Sequence, residues 1–169
     1  KLYVDTCQKT QMGQTLDLLA MPQGRKSVDL LRTFNRELHT NIVKYKTAFY
    51  TFSLPMCAGL IIGGIRDAAT LKAVENVCIL IGVWFQQQDD YLDAFQDPAI
   101  LGKIGTDIQD HKCSWLCVLC LELMNDEQRV RFEANYGQHG EENIEADALF
   151  IVHQLQAQHA QFTSYGDKP

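Results

Sequence analysis

The stretch from Trp84 to Lys112, WFQQQDDYLDAFQDPAILGKIGTDIQDHK, decides how the chain folds. Upstream of its acids, Leu71, Val74, Cys78, Ile81 and Phe85 recur at intervals of three and four, which predicts one long α-helix from Ala68 to Phe95 starting at Asp67. At 1.5 Å per residue such a helix runs about 42 Å. Val77, Leu80, Val83 and Trp84 are apolar as well, so the helix is read as central, with much of its circumference buried. Its last turns carry Asp89, Asp90 and Asp93. Asp89 and Asp93 are four residues apart and share a face, with Asp90 beside them. Helix carbonyls already make that end negative, so the cluster wants a cation.

The loop from Gln96 to Gly105 holds Pro98, Gly102, Gly105 and the cation Lys103. Thr106-Asp107-Ile108-Gln109 then reads as a capping box opening the next helix, with Asp107 in its first turn and Lys112 one to two turns further. Two lysines do not balance three acids. Mg²⁺ takes one or two carboxylates, keeps several waters and completes its shell with phosphate oxygens. The combination therefore reads as a site for a magnesium-bound phosphate or diphosphate. The other reading is a solvated acidic helix end.

Working toward the N-terminus, Ser27 is placed to cap a helix whose apolar residues Val28, Leu31, Leu38, Ile42, Tyr45 and Phe49 keep helical spacing up to Pro55, where the helix should kink or break. Lys44 and Lys46 on it read as a solvated pair by spacing alone. The first segment, Leu2 to Met21, stops at Met21-Pro22-Gln23-Gly24, and on spacing alone its Gln14 and Asp17 are surface neighbours sharing a face. Toward the C-terminus, Asn125 to Gln128 starts a helix and Gly137 stops it. Glu141 to Phe162 carries a further apolar stripe. The expected architecture is all-α: six or seven helices with short connections in a single helical unit over 1–169, with no convincing strand.

A hydrophobic content of 46% with 21% charged residues describes a globular chain. The formal charge of −6 and the lack of a basic run argue against nucleic acid. The apolar stretch Met56 to Ile65 is too short for a bilayer, which needs about 20 residues, so no membrane span is expected. Neither a secretory nor a lipidation pattern is read at Lys1, which leaves the cytoplasm as default. The six cysteines fall largely at apolar helical positions, as buried reduced thiols do. Cys113, Cys117 and Cys120 have the spacing of radical SAM cluster ligands, but Trp115, Leu116, Val118 and Leu119 between them make an apolar helix rather than a ligand loop. The histidines show no metal-ligand spacing, and no GxSxG, P-loop or dinucleotide fingerprint is present.

QDDYLD followed by GKIGTDIQDHKCSW, together with GQTLDLL and KYKTAFYTFSLP, resembles the trans-isoprenyl diphosphate synthases. The resemblance runs from Gln11 to about Gly140 and implies the C-terminal part of that family's large helical bundle. It implies Mg²⁺ on Asp89 and Asp93, with Asp90, Asp107 and Asp17 around the metal. Lys46 and Lys103 would grip an allylic diphosphate, with Asp89 completing the catalytic set and Lys112 near the same anion. Gln14, Thr47, Tyr50, Phe85 and Gln86 would line the substrates. The implied reaction is Mg-dependent condensation of isopentenyl diphosphate with an allylic diphosphate, by a homodimer when complete. The family's first aspartate-rich motif, its product-length residues and its basic tail have no counterpart here, so this polypeptide alone is expected to be inactive. A synthase-like subunit that only binds or regulates, and a synthase making a longer product, stay open.

Overall fold

The computed structural model describes residues 1–22 and 27–137; the helix expected over Glu141 to Phe162 lies outside them. Every element among the described residues is helical. In order they are α1 (Leu2–Leu19), α2 (Ser27–Leu31), α3 (Arg36–Val43), a π-helical segment (Lys44–Ser53), α4 (Leu54–Ile62), α5 (Ala68–Phe95), α6 (Pro98–Leu101), α7 (Trp115–Leu123) and α8 (Asp126–Asn135). The all-α expectation holds.

The helix expected from Ser27 to Pro55 is not continuous. It stops after Leu31, and α3 begins anew because the Asn35 side chain accepts the Leu38 N–H at 2.9 Å. After α3 the rod changes its winding instead of breaking. Ten residues adopt the π pattern, and Pro55 follows as the second residue of α4. Proline lacks an N–H and clashes with the carbonyl four residues back, and a rewound stretch ahead of it relieves that demand. So the kink expected at Pro55 is a change of helix type.

This π segment is clamped between α1 and α5 by two glycines. A Cβ at Gly13 would fall on the backbone of Tyr45 and Lys46, and one at Gly82 would fall on Ala48. The backbones come that close only because no side chain intervenes. Lys9 adds a tie, its Nζ 3.8 Å above the Phe49 ring and 3.6 Å from Glu75 on α5.

α5 starts and ends where the sequence places it, with Asp67 accepting the Thr70 N–H at 2.7 Å. Its expected burial is wrong. Among its residues only Cys78, Gly82 and Asp90 are buried, while Leu80 is 70% and Trp84 62% exposed. The buried helix is α7, where Leu116 to Leu121 are all buried and all but Leu119 share the core with Leu30, Leu31, Phe34, Phe132 and Tyr136. The reason is composition: between Ser114 and Glu122 there is no polar side chain to place in water. By length and composition α5 is also long and apolar enough to cross a membrane, with a mean hydropathy of 1.5 over its most apolar window, a property that the Met56 to Ile65 stretch lacks.

Candidate active site

Four helical segments and a loop meet around a cavity of about 180 Å³ at the acidic end of α5. α1 contributes Asp17, and α3 with the π segment contributes His39, Ile42, Val43 and Lys46. α5 contributes Gln86, Asp89 and Asp90. The loop after α6 contributes Lys103, Asp107, Lys112, Cys113 and Ser114. Residues from 17 to 114 are thus brought to one place.

Asp17 is buried, and its Oδ2 takes hydrogen bonds from Lys46 Nζ and Lys112 Nζ, both at 2.8 Å. Burial alone would raise its carboxyl, but the hydrogen bonds and charges of Lys112 and Lys46 outweigh that and hold it below its ordinary value. Gln14 on the same helix stays exposed, so of the expected pair only Asp17 enters the cavity.

The aspartates of α5 divide three ways. Asp89 lines the cavity and accepts the Gln86 side-chain amide at 2.9 Å. Asp93 turns to the following loop, taking the Asp107 backbone N–H at 3.0 Å and pairing with Lys103 at 3.1 Å. That pairing, strengthened by the charges of Asp89, Asp93 and Asp107, holds the Lys103 ammonium above its ordinary value. Asp90 points inward: it is 5% exposed and bonded to Gln86 Nε2 at 3.1 Å, the Trp115 backbone N–H at 2.7 Å and His39 Nε2 at 3.1 Å. Three fixed neighbours make Asp90 a brace of the site more than a free ligand.

Gln86 is the junction of this network. Its amide nitrogen faces Asp89 and Asp90, while its oxygen accepts the Thr47 hydroxyl at 3.1 Å. Thr47 therefore reaches the site through Gln86. Tyr50 and Phe85 do not line the cavity; they are exposed, Phe85 packing edge-on against Phe52.

Residues 106 to 112 do not open a helix. Asp107 has given its N–H to Asp93, Thr106 donates to Asp110 at 2.9 Å, and His111 takes a left-handed φ of 55°, so the stretch is a turn and α7 starts only at Trp115, capped by Ser114. The capping box expected here is therefore absent, and the loop is pinned otherwise. Tyr136 donates to the Lys112 carbonyl at 2.6 Å and the Gly137 N–H bonds to Ile108 O at 3.0 Å. Gly137 has φ 77° and lies against the His111 ring, where a side chain has no room. At the other end, a Cβ on Gly105 would fall on the Asp93 carbonyl. A lysine-bearing loop is thereby fixed against three carboxylates.

Five carboxylates, Asp17, Asp89, Asp90, Asp93 and Asp107, share the region with three lysines. The crowding registers on Asp107: burial first, then the charges of Asp90 and Asp93, push its carboxyl up to about 7. Among the described residues no group of three or more His, Cys, Asp or Glu can hold a metal ion by itself. Hard oxygen donors in excess of their cations do suit Mg²⁺, which needs only one or two carboxylates when phosphate completes its shell. The same geometry suits no iron–sulfur cluster: Cys113 and Cys120 are buried, and burial pushes both thiols up to about 12.

His39 and Ser114 line the cavity without being singled out by the sequence, and Cys113 lines it as a buried thiol. His39 meets Asp90 across 51 residues, a separation at which no spacing rule operates.

The comparisons with known proteins show the family and the fold. A family model described as polyprenyl synthetase matches residues 1–152. The bovine farnesyl pyrophosphate synthase is 45% identical over 163 residues, covering 96% of this chain and 45% of its own, and the human one is 47% identical over 144 residues, covering 85% and 34%. Among solved structures, T. brucei farnesyl diphosphate synthase complexed with the bisphosphonate BPH-721 superposes with a TM-score of 0.84 at 33% identity, over 97% of this chain and 48% of the other. The risedronate complex gives 0.83 at 33% identity, over 97% and 48%. The chain spans between a third and a half of the length of the curated relatives it matches.

Proposed function

This chain belongs to the polyprenyl synthetase family, and from that premise we propose that it carries the lysine-and-aspartate portion of a farnesyl diphosphate synthase. The reaction proposed for the whole protein joins isopentenyl diphosphate to an allylic diphosphate, dimethylallyl or geranyl, with Mg²⁺ as cofactor. Magnesium-dependent binding of the diphosphate is proposed for this chain.

The observation that carries the reading is the paired hold of Lys46 and Lys112 on Asp17, beside Lys103 on Asp93. Three lysine ammonium groups line one small cavity, and a diphosphate is the ligand with enough negative charge to use all three. A relative of high similarity holds a bisphosphonate, a stable analogue of diphosphate.

In the proposed chemistry the allylic C–O bond breaks and its electron pair leaves with the diphosphate. Lys46, Lys103 and Lys112 neutralise that departing anion. The allylic cation left behind is attacked by the double bond of isopentenyl diphosphate, and loss of a proton gives a chain five carbons longer. Asp89 and Asp93 would hold Mg²⁺, which when bound supplies further neutralisation of the diphosphate oxygens. Asp107 stands beside them as a carboxyl that ionises readily once a cation is present. Gln86 fixes the orientation of Asp89 and Thr47.

Two further expectations travel with the reading. One is a homodimer for the complete enzyme. The other is a cytoplasmic location, which fits five buried free thiols.

The test is a calorimetric titration of pyrophosphate into the chain with and without Mg²⁺, beside Asp89→Asn. The expected result is magnesium-dependent binding that the variant loses. Equal binding with and without Mg²⁺, or no binding at all, would favour a synthase-like subunit without the metal chemistry.

A further inference from the structure

His39 is 1% exposed, yet it lines the same cavity as the lysines and aspartates. Its ring makes one hydrogen bond: Nε2 donates to Asp90 Oδ2 at 3.1 Å, since a carboxylate can only accept. Its Nδ1 is buried without a partner. Leaving a buried nitrogen unpaired is unfavourable, so the fold keeps this ring for the bond that Nε2 makes.

We propose that His39 is a positioning residue for the metal-and-diphosphate site, acting through Asp90 and Gln86 on Asp89 and Thr47. The inference rests on the function proposed above and adds to it the residue that sets the site's geometry. Asp90 Oδ2 is held between His39 and the Trp115 N–H. That leaves Oδ1 as the acceptor for Gln86 Nε2. The same Nε2 reaches Asp89, and the Gln86 oxygen takes the Thr47 hydroxyl. The Trp115 ring packs against the His39 ring, tilted by 47° with the centroids 5.7 Å apart. Removing the Nε2 donor leaves Asp90 Oδ2 held by the Trp115 N–H alone, so the carboxylate and the Gln86 amide shared between it and Asp89 are less tightly oriented.

The experiment compares His39→Phe, which keeps a planar ring without a donor, with His39→Gln, which keeps a donor. Pyrophosphate binding with Mg²⁺ should weaken about ten- to a hundredfold in His39→Phe, the usual effect of losing a group that orients a metal-binding carboxylate, and should largely recover in His39→Gln. A second readout needs no ligand. The Gln86 side-chain amide resonances should shift, and hydrogen exchange at the Trp115 amide should accelerate, in His39→Phe and much less in His39→Gln. Unmoved Gln86 and Trp115 signals in His39→Phe would overturn the proposal, whatever the ligand does. Wild-type chain that binds no pyrophosphate would count against the proposed function alone, because the amide signals still decide the role of His39. Should His39→Phe not fold, the nitrogen spectrum of wild-type His39 decides: a proton on Nε2 supports the role, and a bare Nε2 ends it.

Discussion

Asp107 is held among like charges, and that sets a pH dependence with a definite sign. Burial, followed by Asp90 and Asp93, pushes its carboxyl from 3.8 up to about 7. A raised folded-state value favours the protonated form, so its contribution to stability is full below 3.8 and is lost as pH rises through about 7. Thermal unfolding followed from pH 4 to pH 8 should therefore show a fall in the wild type that Asp107→Asn flattens; parallel profiles would exclude this account. Magnesium with pyrophosphate prefers the ionised carboxylate, so binding should tighten over the same rise. Asp17 behaves oppositely. Lys112 and Lys46 hold it low despite burial, so its contribution is present above 3.8 and lost as pH falls through its folded-state value. Replacing Asp17 with Ala strands both ammonium groups, and because each still reaches water the cost in urea unfolding should be near the low end of about 1–3 kcal/mol. Of these residues the sequence shows the acids and lysines themselves. It hides which carboxylate each lysine meets, because Asp17 and Lys112 are 95 residues apart.

At the scale of elements, local chemistry was readable and long-range demand was not. Asp67 and Asn125 cap α5 and α8 as their sequences announce, the second with a full capping box. The break before Asn35 is masked because Leu31, Phe34, Leu38 and Ile42 keep helical spacing across it and all turn toward the core. The π segment is masked because KYKTAFYTFS has the apolar content of an ordinary helix, and its rewinding answers Pro55 and the close crossings at Gly13 and Gly82. Those crossings give a paired prediction. Gly82→Ala places a methyl on Ala48, and such overpacking should cost about 1–3 kcal/mol in urea unfolding. Gly59→Ala in α4 meets nothing within 4 Å and should instead stabilise by roughly 0.5–1 kcal/mol through helix propensity. Equal effects at the two glycines would mean that the π segment is not held by close approach to α5.

Over the whole molecule, the error made from sequence at α5 is the informative one. An apolar stripe states that a helix will be covered but not by what, and α7, with no polar residue between Ser114 and Glu122, takes the core position instead. Val77, Leu80, Ile81 and Trp84 are left 56%, 70%, 44% and 62% exposed, at the i, i+3, i+4, i+7 spacing of one helix face. The chain spans 45% of the length of the bovine relative. A contiguous apolar face in water drives association. The chain on its own should therefore self-associate in a concentration-dependent way, seen by sedimentation velocity. Val77→Glu with Leu80→Glu should shift it toward monomer. Because neither side chain packs inside, the melting temperature should hardly move, surface changes usually staying within about 0.5 kcal/mol. Pyrophosphate binding should also be retained, since the acidic end of α5 lies beyond these positions and is fixed by Gly105, Lys103 and Asp107. A wild-type chain that stays monomeric at every concentration would mean that this face is covered within the chain itself.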